Sequence, residues 1–181
     1  MQIDRAERRL VLVSGPPGSG KTTLAVPLAT ELGFALLSKD RIKETLHDCL
    51  AERLADGALD LAWSQRLGAA SMELLWALAA DAPAVVLDAN FWPDDPRNQR
   101  RVAALAAKPV EVFCKCPVEE YQRRYYSRAS LRHPVHLDSD RQADGLARSD
   151  HPMSVGTVFT VDTTAPVDIA ALAQEVRASL P

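Results

Sequence analysis

A glycine-rich loop between an apolar run and a helix-compatible stretch constrains the fold of this chain more than any other segment. Residues 10–14 read Leu-Val-Leu-Val-Ser, residues 15–22 read Gly-Pro-Pro-Gly-Ser-Gly-Lys-Thr, and residues 23–32 are compatible with a helix. The loop fits the pattern G-x-x-x-x-G-K-S/T, which carries weight only where a strand precedes it and a helix follows. That context is present. The sequence therefore predicts a site for the phosphates of a nucleoside triphosphate, rather than a glycine-rich turn without a ligand.

Each kind of residue in this loop has its own predicted role in phosphate binding. Glycines let backbone N–H groups converge on phosphate oxygens, and the helix start adds the positive end of its dipole. Lys21 would place a point charge on the β- and γ-phosphates, and the Thr22 hydroxyl would coordinate Mg²⁺. The predicted nucleotide-binding residues of the loop are Gly15, Pro16, Pro17, Gly18, Ser19, Gly20, Lys21, Thr22 and Thr23.

Composition predicts one globular domain over residues 1–181. The chain is 47% hydrophobic and 25% charged, and its net charge of −3 gives no overall basic footprint for nucleic acid. The charged start differs from a signal peptide, and the apolar runs are too short to span a membrane. An odd count of three cysteines argues against a disulfide framework. We therefore expect a cytoplasmic monomer or homodimer without a membrane partner.

Apolar runs typical of buried strands alternate with helix-compatible segments. Strands are predicted at residues 10–14, 34–37, 84–87, 110–114 and 157–161, and helices at residues 21–32, 40–52, 61–80, 95–107, 118–128 and 167–180. Strands separated by helices indicate parallel βαβ units in a doubly wound sheet, where ligands bind beyond the carboxyl ends of the strands. Residues 130–154 lack a sustained period, so we expect a mobile lid over residues 128–154.

Polar residues at two predicted strand ends are candidates for the chemistry. Asp40 follows the second strand and would orient the hydroxyl that attacks the γ-phosphate or accept its proton; a plain helix N-cap is the alternative. Asp88 ends an Ala-Val-Val-Leu-Asp run that resembles a Walker B segment. It would hold a Mg²⁺-bound water and contact the substrate. Asn90 and Trp92 are also predicted to contact the substrate, with an ordinary turn and an aromatic core residue as the alternatives.

Arginines on the predicted helix 118–128 would stabilise the negative charge that phosphoryl transfer spreads over the moving oxygens. Arg124 and Arg128 lie one turn apart and share a face. We predict Arg128 at the phosphates and Arg124 near the adenine or the phosphates. A solvated helix face paired with Glu119 or Glu120 is the alternative.

Two pairs of residues could suggest a second metal site. His133 and His136 lie in a segment that Pro134 makes irregular. Cys114 and Cys116 lie two residues apart on a predicted strand, so their side chains face the same side. No further ligand lies nearby in the sequence. Surface or loop histidines and reduced thiols are the favoured interpretations.

Four segments together resemble a known group: residues 15–23, 38–40, 85–90 and 116–128. They look like the small P-loop kinases of the AAA-type ATPase-like or zeta-toxin-like group. This group includes gluconate kinase, shikimate kinase, chloramphenicol phosphotransferase and the kinase domain of polynucleotide kinase. The resemblance implies an α/β fold, a three-layer αβα sandwich with a five-stranded parallel sheet in the order 2-3-1-4-5, and ATP and Mg²⁺ as cofactors.

The resemblance also implies residue roles. In these families an aspartate after the second strand activates the acceptor hydroxyl, which Asp40 matches, and an arginine lies at the lid-side helix end, which Arg128 matches. The second acid, sensor and arginine-finger regions of oligomeric AAA machines are not found in this sequence.

These observations predict an ATP-dependent kinase that moves the γ-phosphate of ATP to a hydroxyl of a small molecule, with Lys21, Asp40 and Arg128 as catalytic residues. A kinase for nucleic-acid ends is one alternative, which the net charge disfavours. An ATP-binding regulatory module with slow ATPase activity is the other. Asp40 and the arginine pair favour transfer over binding alone.

Overall fold

The computed structural model describes residues 4–50, 60–137 and 148–181, and in these residues it forms a five-stranded parallel sheet. The strands are β1 (Arg9–Ser14), β2 (Ala35–Ser38), β3 (Ala84–Asp88), β4 (Val110–Lys115) and β5 (Thr157–Asp162). Their order across the sheet is β2-β3-β1-β4-β5, and every neighbouring pair is parallel. The predicted order 2-3-1-4-5 is confirmed.

Helices separate the strands along the chain. The α-helices of the described residues are α1 (Lys21–Leu32), α2 (Lys39–Leu50), α3 (Leu61–Asp81), α4 (Pro96–Leu105), α5 (Val118–Ser127) and α6 (Ile169–Ser179). Two short 3₁₀ helices, Ala129–Leu131 and Pro134–His136, follow α5. Within the described residues, no helix combines the length and the apolar character needed to cross a membrane.

The central strand β1 is buried on both faces, which explains its uninterrupted apolar run. Val11 and Val13 pack into a core with residues of α1 and α6. Leu10 and Leu12 pack into a second core with residues of α3 and α4. Because side chains alternate along a strand, one apolar run serves both cores. The sheet is covered on both sides, as the predicted αβα sandwich requires.

Several helices begin slightly away from their predicted starts. Asp95 and Asp168 were expected inside helices, but each is an N-cap residue whose carboxylate accepts a hydrogen bond from a backbone N–H two or three residues on. α2 begins at Lys39, so Asp40 is its second residue rather than its N-cap. The predicted end of α2 at residue 52 lies outside the described residues.

The strand register brings the polar strand ends to one edge of the sheet. Asp88 of β3 is in register with Ser38 of β2 and with Val13 of β1. The glycine-rich loop leaves β1 directly after Ser14. Because the strands run parallel, the loop and the polar ends of β2 and β3 meet at the edge where such sheets bind ligands.

A buried carboxyl group on β4 bonds the chain before β5 to the sheet. Glu111 is fully buried, and its Oε1 accepts hydrogen bonds from Ser14 Oγ at 2.6 Å and from the N–H of Met153 at 3.0 Å. Its Oε2 accepts from the N–H of Ser154 at 3.0 Å. One side chain therefore satisfies three donors, each of which would cost about 1–3 kcal/mol if buried without an acceptor.

We expect Glu111→Ala to lower the free energy of unfolding by about 3 kcal/mol or more, because it removes this acceptor and leaves a cavity. Urea unfolding followed by far-UV circular dichroism measures the change. The matched control, Glu175→Ala on the exposed side of α6, should stay within about 0.5 kcal/mol of the wild-type value. Equal small losses in both variants would show that these hydrogen bonds add little.

Candidate active site

An open cleft lies at the carboxyl edge of the sheet, between the phosphate loop, α2 and the segment after α5. The lining residues are Pro17, Gly18, Gly20, Lys21, Thr22, Thr23, Lys39, Asp40, Lys43, Asp88, Ala89, Asn90, Arg128, Arg132 and His136. Most of the predicted site residues therefore lie in one cleft.

The phosphate loop requires glycine at one close approach and at one left-handed backbone position. Gly18 has a φ of 90°, and a Cβ there would lie 2.1 Å from the carbonyl oxygen of Tyr121 on α5. Gly20 has a φ of 88° and is the N-cap residue of α1. Helix N-termini bind anions through their backbone N–H groups and dipole, so the start of α1 suits a phosphate group.

Lys21 is held beneath the loop. Its Nζ donates hydrogen bonds to the carbonyl oxygens of Gly15 at 2.9 Å and Pro16 at 2.8 Å, and the residue is only 8% exposed. Burial lowers the pKa of Lys21 to about 8, although the nearby Asp88 carboxylate opposes this. The amine still carries its proton at neutral pH, and it is oriented by the loop that it would serve.

Thr22 and Asp88 form an oxygen pair beside the loop. Thr22 Oγ1 donates to Asp88 Oδ2 at 2.7 Å, and Ser38 Oγ donates to the same oxygen at 3.2 Å. Burial raises the pKa of Asp88, while Lys21 and the bond from Thr22 oppose the rise. Mg²⁺ prefers oxygen ligands and takes few from the protein, keeping waters and substrate phosphates for the rest. A hydroxyl and a carboxylate fit that requirement.

Asp40 lies in the first turn of α2 and faces the cleft with 41% of its side chain exposed. Its Oδ1 accepts from Lys39 Nζ at 3.2 Å, and its Oδ2 accepts from Arg132 Nη2 at 2.8 Å. Burial raises the pKa of Asp40, but the positive charge of Lys39 and then those of His136 and Arg132 outweigh it. The net pKa lies well below its usual range, so the group is a carboxylate throughout the physiological pH range.

The arginines of α5 occupy different surroundings. Arg124 donates to Glu120 and, at 3.0 Å, to the carbonyl oxygen of Thr163, whose hydroxyl donates to the carbonyl oxygen of Ser19 in the loop. It lies beside the loop but outside the cleft lining. Arg123 pairs with Glu120 on the exposed side of the helix. Arg128, at the end of α5, lines the cleft.

The residues after β3 divide between cleft, core and surface. Asn90 lines the cleft, so its substrate contact stays a prediction. Phe91 is 1% exposed and packs against Trp76, with ring centroids 5.5 Å apart. Trp92 lies outside the cleft lining, 41% exposed, with the Arg148 guanidinium 4.3 Å above its ring. The structure does not bring Trp92 to the other predicted substrate residues.

The chain after α5 is bonded to α2 and α3. The carbonyl oxygen of Val135 accepts from Lys43 Nζ at 3.0 Å and from Ser64 Oγ at 2.6 Å, and Lys43 also donates to Ser64 at 2.8 Å. These bonds lie inside the protein, since Lys43 is only 5% exposed. They fix the wall of the cleft that carries Arg132 and His136.

The two histidines of this wall each pair with a carboxylate of α2. His136 Nε2 lies 2.7 Å from Glu44 Oε1, and His133 Nε2 lies 2.9 Å from Asp48 Oδ1. Burial lowers the pKa of His136, and the nearby Asp40 carboxylate opposes this shift. Within the described residues, no group of three or more His, Cys, Asp or Glu side chains is placed to hold a metal ion.

The predicted lid is described only at its two ends. Residues 138–147 lie outside the described residues. The first end is bonded to α2 and α3 as given above, and the second is held by Glu111 through Met153 and Ser154. Closure over the cleft stays a prediction.

Four charged or titratable lining residues are not among the predicted site residues: Lys39, Lys43, Arg132 and His136. Lys43 lies four residues after Lys39 and three after Asp40, so helical spacing in the pattern Lys-Asp-x-x-Lys could have placed Lys43 beside both. Arg132 and His136 reach the cleft only because the irregular chain after α5 packs against α2. No periodicity in the sequence signals that contact.

This chain is similar to the proteins of a known family. A family model that describes an AAA domain matches residues 10–152, which span the loop, α2, β3 and α5. This chain belongs to that AAA domain family. The match covers the cleft residues from the phosphate loop to His136.

Solved kinase structures also resemble this chain. A candidate kinase from Chloroflexus aurantiacus is 33% identical to this AAA domain, with a TM-score of 0.81 over 97% of this chain and 100% of that chain. A gluconokinase from Sinorhizobium meliloti is 17% identical, with a TM-score of 0.57 over 97% and 93% of the two chains, and so shares the fold. The resemblance to small P-loop kinases is confirmed.

A longer protein resembles part of this chain. An uncharacterized protein of Mycobacterium tuberculosis is 29% identical over 136 residues, which make up 70% of this chain and 27% of that protein. The match thus spans about a quarter of the length of that curated relative.

Proposed function

We propose that this AAA domain is an ATP- and Mg²⁺-dependent phosphotransferase that moves the γ-phosphate of ATP to a hydroxyl of a small molecule. One observation carries the proposal: a single cleft joins the phosphate loop to a cation-flanked carboxylate, Asp40, on α2. Nucleotide binding alone needs only the loop. Transfer to an alcohol also needs a group that positions the hydroxyl, and Asp40 supplies it.

Asp40 would act on the acceptor. Because the carboxylate stays ionised, it accepts a hydrogen bond from the hydroxyl and aligns its oxygen with the γ-phosphorus. The new phosphorus–oxygen bond forms as the bond to the β–γ bridging oxygen breaks, and the electron pair leaves with ADP. The hydroxyl proton passes through Asp40 to solvent. A low pKa suits this role, since the loose transition state of phosphoryl transfer needs positioning more than a strong base.

Fixed positive charge would act on the phosphates. Lys21 and the start of α1 would hold the β- and γ-phosphates, and Arg128 would stabilise the charge that develops on the moving group. Thr22 and Asp88 would hold Mg²⁺, which would neutralise part of the phosphate charge. Arg124 would contact the nucleotide from the Thr163 side of the loop.

Asp88→Asn is expected to raise the Mg²⁺ concentration needed for half-maximal ATP turnover by about 10–100-fold, the usual cost of losing a group that orients a metal's ligands. A Mg²⁺ titration at fixed ATP measures this. Asp81→Asn, an exposed change at the end of α3, is the control and should leave the titration unchanged. Coincident curves for wild type and Asp88→Asn would remove Asp88 from the metal site.

The proposed activity can be tested by ADP release in a panel of hydroxyl compounds: sugars, sugar acids, nucleosides, hydroxylated antibiotics and oligonucleotide ends. We expect one small-molecule class to raise ADP release well above the rate with ATP alone. Stimulation only by oligonucleotides, with a steep dependence on salt, would support a nucleic-acid end kinase instead. An unstimulated slow rate throughout would support a regulatory ATPase.

A further inference from the structure

A histidine and a glutamate form a largely buried pair in the cleft wall, close to Asp40. His136 Nε2 lies 2.7 Å from Glu44 Oε1, and the histidine side chain is only 5% exposed. Glu44 follows Asp40 by one turn of α2, so their two carboxyl groups share one face of that helix. On the facing chain, Arg132 bonds to Asp40 at 2.8 Å, four residues before His136. These two contacts bring the imidazole to the same end of the cleft as Asp40, and both residues line it.

The bond to Glu44 fixes which nitrogen of His136 can take up a proton. The oxygens of a carboxylate only accept hydrogen bonds, so Nε2 carries the hydrogen of this pair. In the neutral ring the lone pair then lies on Nδ1. Among the residues that the structure describes, no group bonds to this Nδ1. A carboxylate that holds one ring nitrogen while the other exchanges protons is the arrangement of a histidine general base.

Four charged side chains act on the imidazole. The carboxylates of Asp40 and Glu44 favour its protonated form, and the cations of Arg132 and Lys43 oppose that form. Burial opposes it most strongly, so the pKa of His136 lies below the ordinary histidine value of 6.5. A histidine with such a pKa is mostly neutral at pH 7 and can accept a proton there.

Asp40, in contrast, cannot keep a proton at neutral pH. Burial raises the pKa of Asp40, but the positive charge of Lys39 and then those of His136 and Arg132 hold it well below its usual range. A hydroxyl proton that reaches this carboxylate must therefore move on within the turnover. A base with a higher affinity for protons in the same cleft gives it a destination.

We propose that His136 receives the proton that the acceptor hydroxyl gives up, so that the route from Asp40 to solvent passes through Nδ1 of His136. The proposal rests on the proposed function and adds a proton-accepting residue to that site. As the hydroxyl oxygen bonds to the γ-phosphorus, its proton moves to an oxygen of Asp40 and then to Nδ1. The β–γ bridging oxygen leaves with its electron pair as part of ADP. The imidazolium keeps its Nε2–H bond to Glu44 and later gives the Nδ1 proton to solvent.

An NMR titration of the free protein tests whether His136 and Asp40 interact. The imidazole resonance of His136, assigned by its loss in His136→Gln, is followed between about pH 5 and 8. Asp40→Asn should lower the midpoint by about one pH unit, because it removes a nearby charge that favours the imidazolium. Asp48→Asn is the control, since Asp48 pairs with His133, and it should leave the midpoint unchanged. An unchanged midpoint in Asp40→Asn would overturn the proton route.

The pH dependence of turnover tests His136 in the reaction itself. Protonated His136 cannot accept, so wild-type kcat should fall as the pH falls through the pKa of His136. With the acceptor from the ADP-release panel, His136→Gln should lower kcat at neutral pH by about 10²-fold, keep the KM for ATP and lose this acid limb. The MgATP-dependent thermal shift of His136→Gln shows that the variant is folded. An acid limb that persists in His136→Gln would overturn the proposal.

The other histidine of the same wall provides the matched control. His133 pairs with Asp48 at 2.9 Å and lies outside the cleft lining. His133→Gln should therefore keep the wild-type kcat and the wild-type acid limb. Equal losses of kcat in His133→Gln and His136→Gln would indicate a structural effect of the wall and overturn the proton route.

ATP hydrolysis separates this inference from the proposed function. Labelled γ-phosphate recovered only as inorganic phosphate would contradict the kinase and make water the attacking group. The pH profile is then measured on hydrolysis, where an acid limb lost in His136→Gln supports the proton route and identical profiles overturn it. An acceptor that is phosphorylated with the same pH profile by wild type and His136→Gln would leave the kinase standing and overturn the role of His136.

Discussion

Asp40→Asn is expected to lower kcat by about 10²–10⁴-fold while the dissociation constant for MgATP stays nearly unchanged. Asparagine keeps the size of the side chain but loses the charge that holds the acceptor hydroxyl and balances Lys39 and Arg132. Steady-state kinetics with the acceptor from the ADP-release panel gives kcat. Calorimetric titration with MgATP gives the affinity.

The same substitution elsewhere on α2 serves as the control. Asp48 is 65% exposed and pairs with His133 rather than with a cation of the cleft. Asp48→Asn should retain wild-type kcat within the error of the assay. Near-wild-type turnover in Asp40→Asn would leave this carboxylate a structural partner of Arg132 and remove it from the chemistry.

Lys21→Ala is expected to abolish most of the stabilisation that MgATP gives the protein. A ligand at one hundred times its dissociation constant stabilises the native state by about 2.7 kcal/mol, which raises Tm by about 5–10 °C in a chain of this size. Without Lys21 the phosphates lose the amine that Gly15 and Pro16 orient. Differential scanning fluorimetry with and without MgATP measures both shifts.

Lys108→Ala removes an equal charge from an exposed position beyond α4. Its MgATP-dependent shift should match that of the wild type. If Lys21→Ala retained the full shift while Lys108→Ala behaved as expected, the glycine-rich loop would not be the nucleotide site.

Much of the fold follows from local pattern. The run Leu10–Val13 is apolar at every position because both of its faces are buried, and this pattern separates a central parallel strand from an exposed one. The helix starts were less predictable. Asp95 and Asp168 lie where a carboxylate can either begin a helix or cap it, and only the backbone geometry distinguishes the two.

The placement of the candidate site residues was predictable where chain order dictates it. The loop and Asp40 follow strand ends and Asp88 ends β3, and parallel strands bring their carboxyl ends together whatever their side chains. Arg132 and Glu111 were not predictable in the same way. Arg132 meets Asp40 across 92 residues of sequence, and Glu111 meets Met153 across 42, so their roles depend on how irregular segments pack.

The fate of the γ-phosphate tests the central claim most directly. ATP labelled at the γ-phosphate is incubated with the protein, Mg²⁺ and each acceptor of the panel, and the products are separated by thin-layer chromatography. The proposed function predicts that the label appears in a phosphate ester of an acceptor, at a rate that Asp40→Asn strongly reduces and Asp48→Asn does not. Label recovered only as inorganic phosphate, with every acceptor and in all three proteins alike, would contradict a phosphotransferase and identify a slow ATPase.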